Sequence, residues 1–208
     1  MAIIELVFPQ LKKDPESVKG SLEKMPIAFK AFQDGGVLRG LAGFITTENG
    51  KDVTADSREL IVLEWPEAAA FYKFIESPGF AEFAAEMRPF SAGPPELNLF
   101  ETNPGTHLFG ANPVLEILLV RPTGSSDADA EAVLKKVESA LKTTNDSEAV
   151  YGTSLNLPQK KLTVLKVVAN KADLDAAKNA ASRQEIQKEV GSAAEVTQLV
   201  ADVKPMPF

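Results

Sequence analysis

The sequence predicts an α+β protein built from two tandem ferredoxin-like units, each running β-α-β-β-α-β. Three observations predict it. First, Thr102-Asn103-Pro104-Gly105-Thr106-His107-Leu108-Phe109-Gly110-Ala111-Asn112-Pro113 places two Pro, two Gly and two Asn near the middle of 208 residues, the composition of a linker. Second, the same succession of apolar strands and amphipathic helices is legible on both sides of that stretch. Third, short segments match between the halves. Ile3-Ile4-Glu5-Leu6-Val7-Phe8 lies over Val114-Leu115-Glu116-Ile117-Leu118-Leu119, each with a glutamate in mid-strand. Val37-Leu38-Arg39-Gly40 lies over Ala149-Val150-Tyr151-Gly152, and Leu60-Ile61-Val62-Leu63-Glu64-Trp65 over Leu162-Thr163-Val164-Leu165-Lys166-Val167. The expected division is 1–103, a linker at 104–112, and 113–208.

The elements follow in order. Residues 2–8 read as a strand. Asp14-Pro15 is an N-cap followed by proline at the first helical position, so a helix is expected over about 15–33. Val18, Leu22, Met25 and Phe29 lie on one face of it, and Pro26 should kink or interrupt it. Strands follow at about 36–47 and 59–65, then a helical region at 67–90 and a strand at 96–102. After the linker come a strand at about 114–121 and a helix at 127–144 capped by Ser126 or Asp127, with Ala130, Val133, Leu134, Val137 and Leu141 as its apolar stripe. Strands at 149–157 and 161–169, a helix at 172–190 and a strand at 195–203 complete the chain. Leu60-Ile61-Val62-Leu63 and Leu162-Thr163-Val164-Leu165 are apolar on both faces, or nearly so, which implies a sheet covered on both sides.

Composition narrows the chemistry. With 44% hydrophobic and 25% charged residues the chain is an ordinary globular one. It has no cysteine, so disulfides, thiolate nucleophiles and Cys-ligated metals are excluded, and one histidine leaves no His-rich metal site. The net charge of −7 falls mostly on the first half, with 10 basic and 16 acidic residues through Pro104 against 12 and 13 after it. Neither half offers the basic surface that nucleic acid requires. The N-terminal Met1–Phe8 run is too short for an export signal and contains Glu5, and no membrane-spanning segment is evident, so a cytoplasmic location is expected. Aromatic residues are uneven: 13 of 15, including 11 of 12 phenylalanines, lie in the first 109 positions.

The segment Glu64-Trp65-Pro66-Glu67-Ala68-Ala69-Ala70-Phe71-Tyr72-Lys73-Phe74-Ile75-Glu76-Ser77-Pro78-Gly79-Phe80, extending to Phe83, resembles the strand-end tryptophan, short helix and Ser-Pro-x-Phe turn of the dimeric α/β-barrel superfamily. That superfamily holds antibiotic-biosynthesis-monooxygenase-like and stress-responsive barrel proteins, several as duplicated single chains in fungi. The resemblance implies that the two units close one pseudo-dimeric barrel with helices outside, and hence a monomer, or a weak dimer through another face. Its members include cofactor-free oxygenases, polyketide cyclases, haem-handling enzymes and proteins without a reaction, so function must be argued from the site. The corresponding Asn170-to-Ala177 segment lacks the aromatics, which implies a mainly structural second unit.

Glu5 and Glu116 are the first candidates, because a carboxylate inside an apolar strand is either ion-paired or held where burial suits it to proton transfer. Alternation puts Glu5 opposite Ile4 and Leu6, a face that could look into the barrel, with Arg39 on a neighbouring strand as a partner. Glu5, Arg39 and Tyr72 are the candidate catalytic groups. Glu64, Trp65, Phe71, Phe74 and Phe80 are the candidate binding groups, with core packing as the alternative for the aromatics. His107 fits a solvated loop residue better than a base. Together these point to a small apolar or aromatic, polyketide-like ligand, bound and transformed without metal or redox cofactor. The alternative is a non-catalytic scaffold. A cavity of about 300 Å³ or more with at least two convergent polar groups separates the first from the second.

Overall fold

The computed structural model describes residues 1–104, 106–110, 113–168, 173 and 177–207, with the side chains of 106, 107 and 177–179 outside the description. The side chain of His107, weighed above as a base, and most of the Asn170-to-Ala177 comparison therefore fall outside the description. The first half runs β1 (Ala2–Phe8), α1 (Pro15–Asp34), β2 (Arg39–Glu48), β3 (Lys51–Asp52), β4 (Glu59–Trp65), α2 (Ala68–Ile75), α3 (Pro78–Met87) and β5 (Glu96–Thr102). The second runs β6 (Val114–Pro122), α4 (Asp127–Thr143), β7 (Val150–Ser154), β8 (Leu162–Val168), α5 (Ala177–Val190) and β9 (Ala194–Pro205).

The strands form one antiparallel sheet in the order β3-β2-β4-β1-β5-β7-β8-β6-β9, and an additional β2–β9 pairing closes eight of them into a barrel. Inward side chains from both halves, among them Ile4, Leu6, Leu41, Val62, Phe100, Ile117, Leu165 and Leu199, fill the barrel as one apolar cluster. Outside, α1 to α3 cover one half of the sheet over Val7, Ile61, Leu63, Trp65 and Leu99. Helices α4 and α5 cover the other over Leu118, Val120, Leu162 and Val164. No helix among the described residues is long and apolar enough to cross a membrane.

Local chemistry explains the helix boundaries. Asp14 accepts a hydrogen bond from the Ser17 amide at 2.8 Å, with Pro15 behind it. Ser126 and Asp129 form a reciprocal capping box on α4. The helical region expected at 67–90 divides because Ser77, accepting from the Phe80 amide at 3.1 Å, and Pro78 start a new helix. Pro26 does not interrupt α1. It is exposed, and Leu22, whose carbonyl loses its helical donor, is 47% exposed, so water can take that carbonyl. The buried face of α1 is Ser21, Met25, Ala28 and Phe32 rather than the stripe through Leu22. Ser21 tolerates burial because its hydroxyl donates to the Val18 carbonyl at 2.8 Å.

Strand pairing also corrects the overlay of the halves. Glu5 stands opposite Leu63 and Glu116 opposite Lys166, so Leu63 corresponds to Lys166. The overlay of Leu60-to-Trp65 on Leu162-to-Val167 is thus one residue out, which exchanges the faces of every side chain. By the same register Gly43, opposite Leu60, corresponds to Gly152, opposite Thr163, so the overlay of Val37-to-Gly40 on Ala149-to-Gly152 is three residues out. Those two glycines sit at the two seams that join the halves. A Cβ on Gly43 would collide with the Asp202 carbonyl of β9, and one on Gly152 with the Glu101 carbonyl of β5.

Candidate functional site

Which face of β1 looks inward decides where chemistry can occur. Ile4 and Leu6 point into the barrel, so Glu5 points outward, under the helices, rather than into the barrel. It stands between Leu63 of β4 and Leu99 of β5 and is 3% exposed. Trp65, the only tryptophan, donates its indole Nε1–H to Glu5 Oε2 at 2.8 Å. Burial pushes the Glu5 carboxyl up from 4.5 to about 7, against the smaller opposing effect of the Trp65 hydrogen bond.

A second carboxyl shares this outer face. Glu59 opens β4, on the same side as Ile61, Leu63 and Trp65, and is 5% exposed. Among the described residues nothing donates to it, and burial alone pushes it up to about 7. Glu59 lies four residues along β4 from the position facing Glu5, about 13 Å at the usual strand rise. The two therefore do not share a proton and titrate as separate groups.

Between the sheet and the helices lies a cleft of about 120 Å³ that both glutamates line. Its helical walls are Met25, Ala28 and Phe32 of α1, Phe74 at the end of α2, and Phe80, Phe83 and Met87 of α3. The rings pack edge to face or tilted: Phe32 to Phe74 at 5.8 Å, Phe32 to Phe83 at 5.7 Å and Phe74 to Phe80 at 5.2 Å between centroids. One end is closed where residues 9–12 run against 89–92, with the Lys12 amide donating to the Phe90 carbonyl at 2.8 Å and the Ala92 amide to the Gln10 carbonyl at 2.7 Å. Among the described residues no lysine, arginine or histidine lines the cleft. The volume is below the 300 Å³ expected of a drug-sized site and near the ~150 Å³ of an apolar cavity that accepts benzene.

The remaining candidates are distributed differently. Arg39 pairs not with Glu5 but with Glu64, Nη2 to carboxylate oxygen at 2.5 Å, and its guanidinium lies 5.2 Å from the Phe109 ring centroid. Both belong to the inward-facing set of β2 and β4, away from the cleft. Tyr72 is 40% exposed, packs edge-on against Phe71 at 5.2 Å and does not line the cleft. Phe71 is buried against Trp65 at 5.9 Å, also outside the cleft, whereas Phe74 and Phe80 line it. Glu116 is a paired structural group, its Oε1 accepting from Gln198 Nε2 at 2.6 Å and Arg183 Nη1 at 3.2 Å. Beside it Lys166 and Asp146 form a buried ion pair at 2.5 Å, and Ser182 donates to Asp146 at 2.7 Å. Sequence reasoning missed Glu59. The available signal was period two from Trp65 back through Leu63 and Ile61. A larger hollow of about 480 Å³ lies beside α2, but its titratable residues, Asp34, Glu67 and Lys73, are all exposed. Among the described residues no three His, Cys, Asp or Glu come together as metal ligands.

No protein-family model matches the sequence, and no curated protein matches it. Solved structures share the fold. A protein described as "putative monooxygenase" from Lactobacillus acidophilus NCFM aligns with a TM-score of 0.57 over 98% of this chain and 95% of its own, at 16% identity. A second of that description, from Fusobacterium nucleatum subsp. nucleatum, gives 0.58 over 98% and 92% at 14% identity. An anthrone oxidase-like protein gives 0.58 over 100% and 94% at 11% identity. At these identities the likeness establishes the fold: a closed eight-stranded antiparallel α/β barrel, fitting the dimeric α/β-barrel architecture that the Glu64-to-Phe83 resemblance implied.

Proposed function

We propose that the cleft of the first half binds a small apolar or aromatic molecule and, in a monooxygenase- or cyclase-like manner, transforms it without metal or redox cofactor. The observation that carries this reading is Glu5, a buried carboxyl poised near neutrality in an apolar cleft. In its ionised form Glu5 would take a proton from a methylene activated by a neighbouring aryl or carbonyl group, leaving the electron pair delocalised over the ligand. Dioxygen as oxidant would then give a carbonyl at that carbon and water. Trp65 positions Glu5, while Phe74 and Phe80 hold the ring. Arg39, Glu64, Tyr72 and Phe71 support the barrel end and the helix layer in this reading. The names of three fold relatives, two described as "putative monooxygenase" and one anthrone oxidase-like protein, lend support to small-molecule binding or transformation.

The cleft as it stands holds at most one substituted ring, so a multi-ring polyketide-like substrate requires the cleft to widen. That small volume is also what favours the second reading, a non-catalytic barrel scaffold. The chain is further proposed to be a duplicated, monomeric pseudo-dimer of two units, 1–103 and 113–208, working in the cytoplasm. The matched seam glycines Gly43 and Gly152 support the duplication.

Trp65 lies outside the cleft and reports on it through its hydrogen bond to Glu5. Titrating ring-sized apolar compounds while following its fluorescence should give saturable changes that disappear when the cleft is filled by Ala28→Phe. Ligands that bind with no change at Trp65, or equally well to the filled variant, would move the site elsewhere.

A further inference from the structure

The cleft has an electrostatic asymmetry that its proton chemistry does not require. Among the described residues its two ionisable groups are both acids, and no cationic side chain lines it. Elsewhere in the molecule buried carboxylates are matched: Glu64 by Arg39, Glu116 by Arg183 and Asp146 by Lys166. Glu59 alone among the buried carboxyls described has neither a cation nor a hydrogen-bond donor. A buried carboxylate without a partner is costly, and that cost is relieved either by protonation or by a cation brought to it.

Resting on the cleft reading above, we infer that its preferred ligand is a small apolar cation, a protonated amine on a ring-sized body, with the ammonium paired to Glu59. The geometry favours Glu59 over Glu5 because Glu5 already accepts from Trp65. The Gln10 side chain, also in the wall, offers a further acceptor to the ammonium. The aromatic walls formed by Phe74, Phe80 and Phe83 suit such a ligand twice over, burying its apolar body and presenting ring faces or edges to it. An anion of the same size would meet two acids and no counter-charge. Binding a cation holds Glu59 ionised, so near pH 7 it displaces the proton Glu59 carries in the empty cleft.

The test uses the full chain and three near-isosteric probes, benzylamine, benzyl alcohol and benzoate, in calorimetric titrations at pH 7 in buffers of different ionisation enthalpy. Benzylamine should bind about tenfold or more tighter than benzyl alcohol, as expected for a buried charge pair, and should release protons; benzoate should bind weakest. Glu59→Gln should abolish the amine's advantage while leaving benzyl alcohol within about threefold of its wild-type affinity, a control showing that the variant's cleft is intact. Equal binding of the amine and the alcohol to the wild-type chain, or an amine preference that survives Glu59→Gln, would overturn the inference while leaving the cleft reading in place. Failure of all three probes to bind would overturn both.

Discussion

Replacing Glu5 by glutamine isolates the energetic consequence of burying that carboxyl. The amide oxygen can still accept from Trp65 Nε1, so the perturbation is mainly the loss of a titrating proton. In the native chain Glu5 is pushed up from 4.5 to about 7, which at 1.36 kcal/mol per pH unit is worth about 3 kcal/mol. The sign follows from proton binding. Between pH 4.5 and about 7 the folded state holds a proton that the unfolded state has released, so native stability falls as pH rises and the penalty is complete above 7. Below 4.5 both states are protonated and the penalty is absent. Glu5→Gln should therefore have no pH-dependent advantage near pH 4 and gain one progressively to pH 8. For a chain of this length that is about 6–12 °C in melting temperature. Glu59 titrates in the same window but lies about 13 Å away along the sheet, so it cancels in the comparison. Paired thermal melts across pH 4–8.5 test this, and a constant difference between the two proteins, or one that shrinks with rising pH, would refute the reasoning.

Other consequences can be measured independently. Fluorescence of the single Trp65 should titrate with a midpoint near 7 in the wild-type chain and lose that transition in Glu5→Gln; an unchanged transition would assign it to another group. Gly152→Ala should destabilise by about 1–3 kcal/mol or prevent barrel closure, because its Cβ meets the Glu101 backbone in a seam of three residue pairs; chemical denaturation at wild-type stability would contradict this. Asp146→Asn should cost about 3–5 kcal/mol by leaving the Lys166 ammonium buried without its counter-charge, and a neutral effect in the same assay would show that the pair is not needed. Sedimentation at low concentration should give a monomer of 22.3 kDa, since one chain closes its own barrel; an obligate dimer would count against the pseudo-dimer proposal.

Element order was legible in the sequence because its causes are local. Asp14-Pro15 and Ser126 carry their caps within four residues, and strands such as Leu60–Leu63 announce themselves by composition, whereas the cap at Ser77-Pro78 that divides the 67–90 region reads in the sequence only as a turn. Three residues of the proposed cleft could be singled out as well, since Phe74 and Phe80 stand in one aromatic run and Glu5 interrupts an apolar strand. What could not be read was which face of β1 turns inward. Ile4 and Leu6 line the barrel while Val7 packs under the helices, so both faces are apolar and alternation alone assigns neither. The same two-sided burial concealed the one-residue slip between the halves. Arg39 was misassigned to Glu5 because its pairing with Glu64 depends on the strand order β2-β4-β1, a long-range fact. Glu59 opens an otherwise apolar strand, and its burial depends on the cover of helices α1 and α3, which is a tertiary fact.

The central claim is that ligands enter the helix-covered cleft of the first half rather than the barrel interior. A crystal structure of the protein purified from its native source, with mass spectrometry of any extracted molecule, tests it most directly. The prediction is a ring-sized ligand between Glu5, Glu59 and Phe80, with the barrel interior closed by Ile4, Leu6 and Phe100. A ligand lodged among those barrel residues, or a cleft collapsed onto Phe32 and Phe83 with nothing bound, would contradict it.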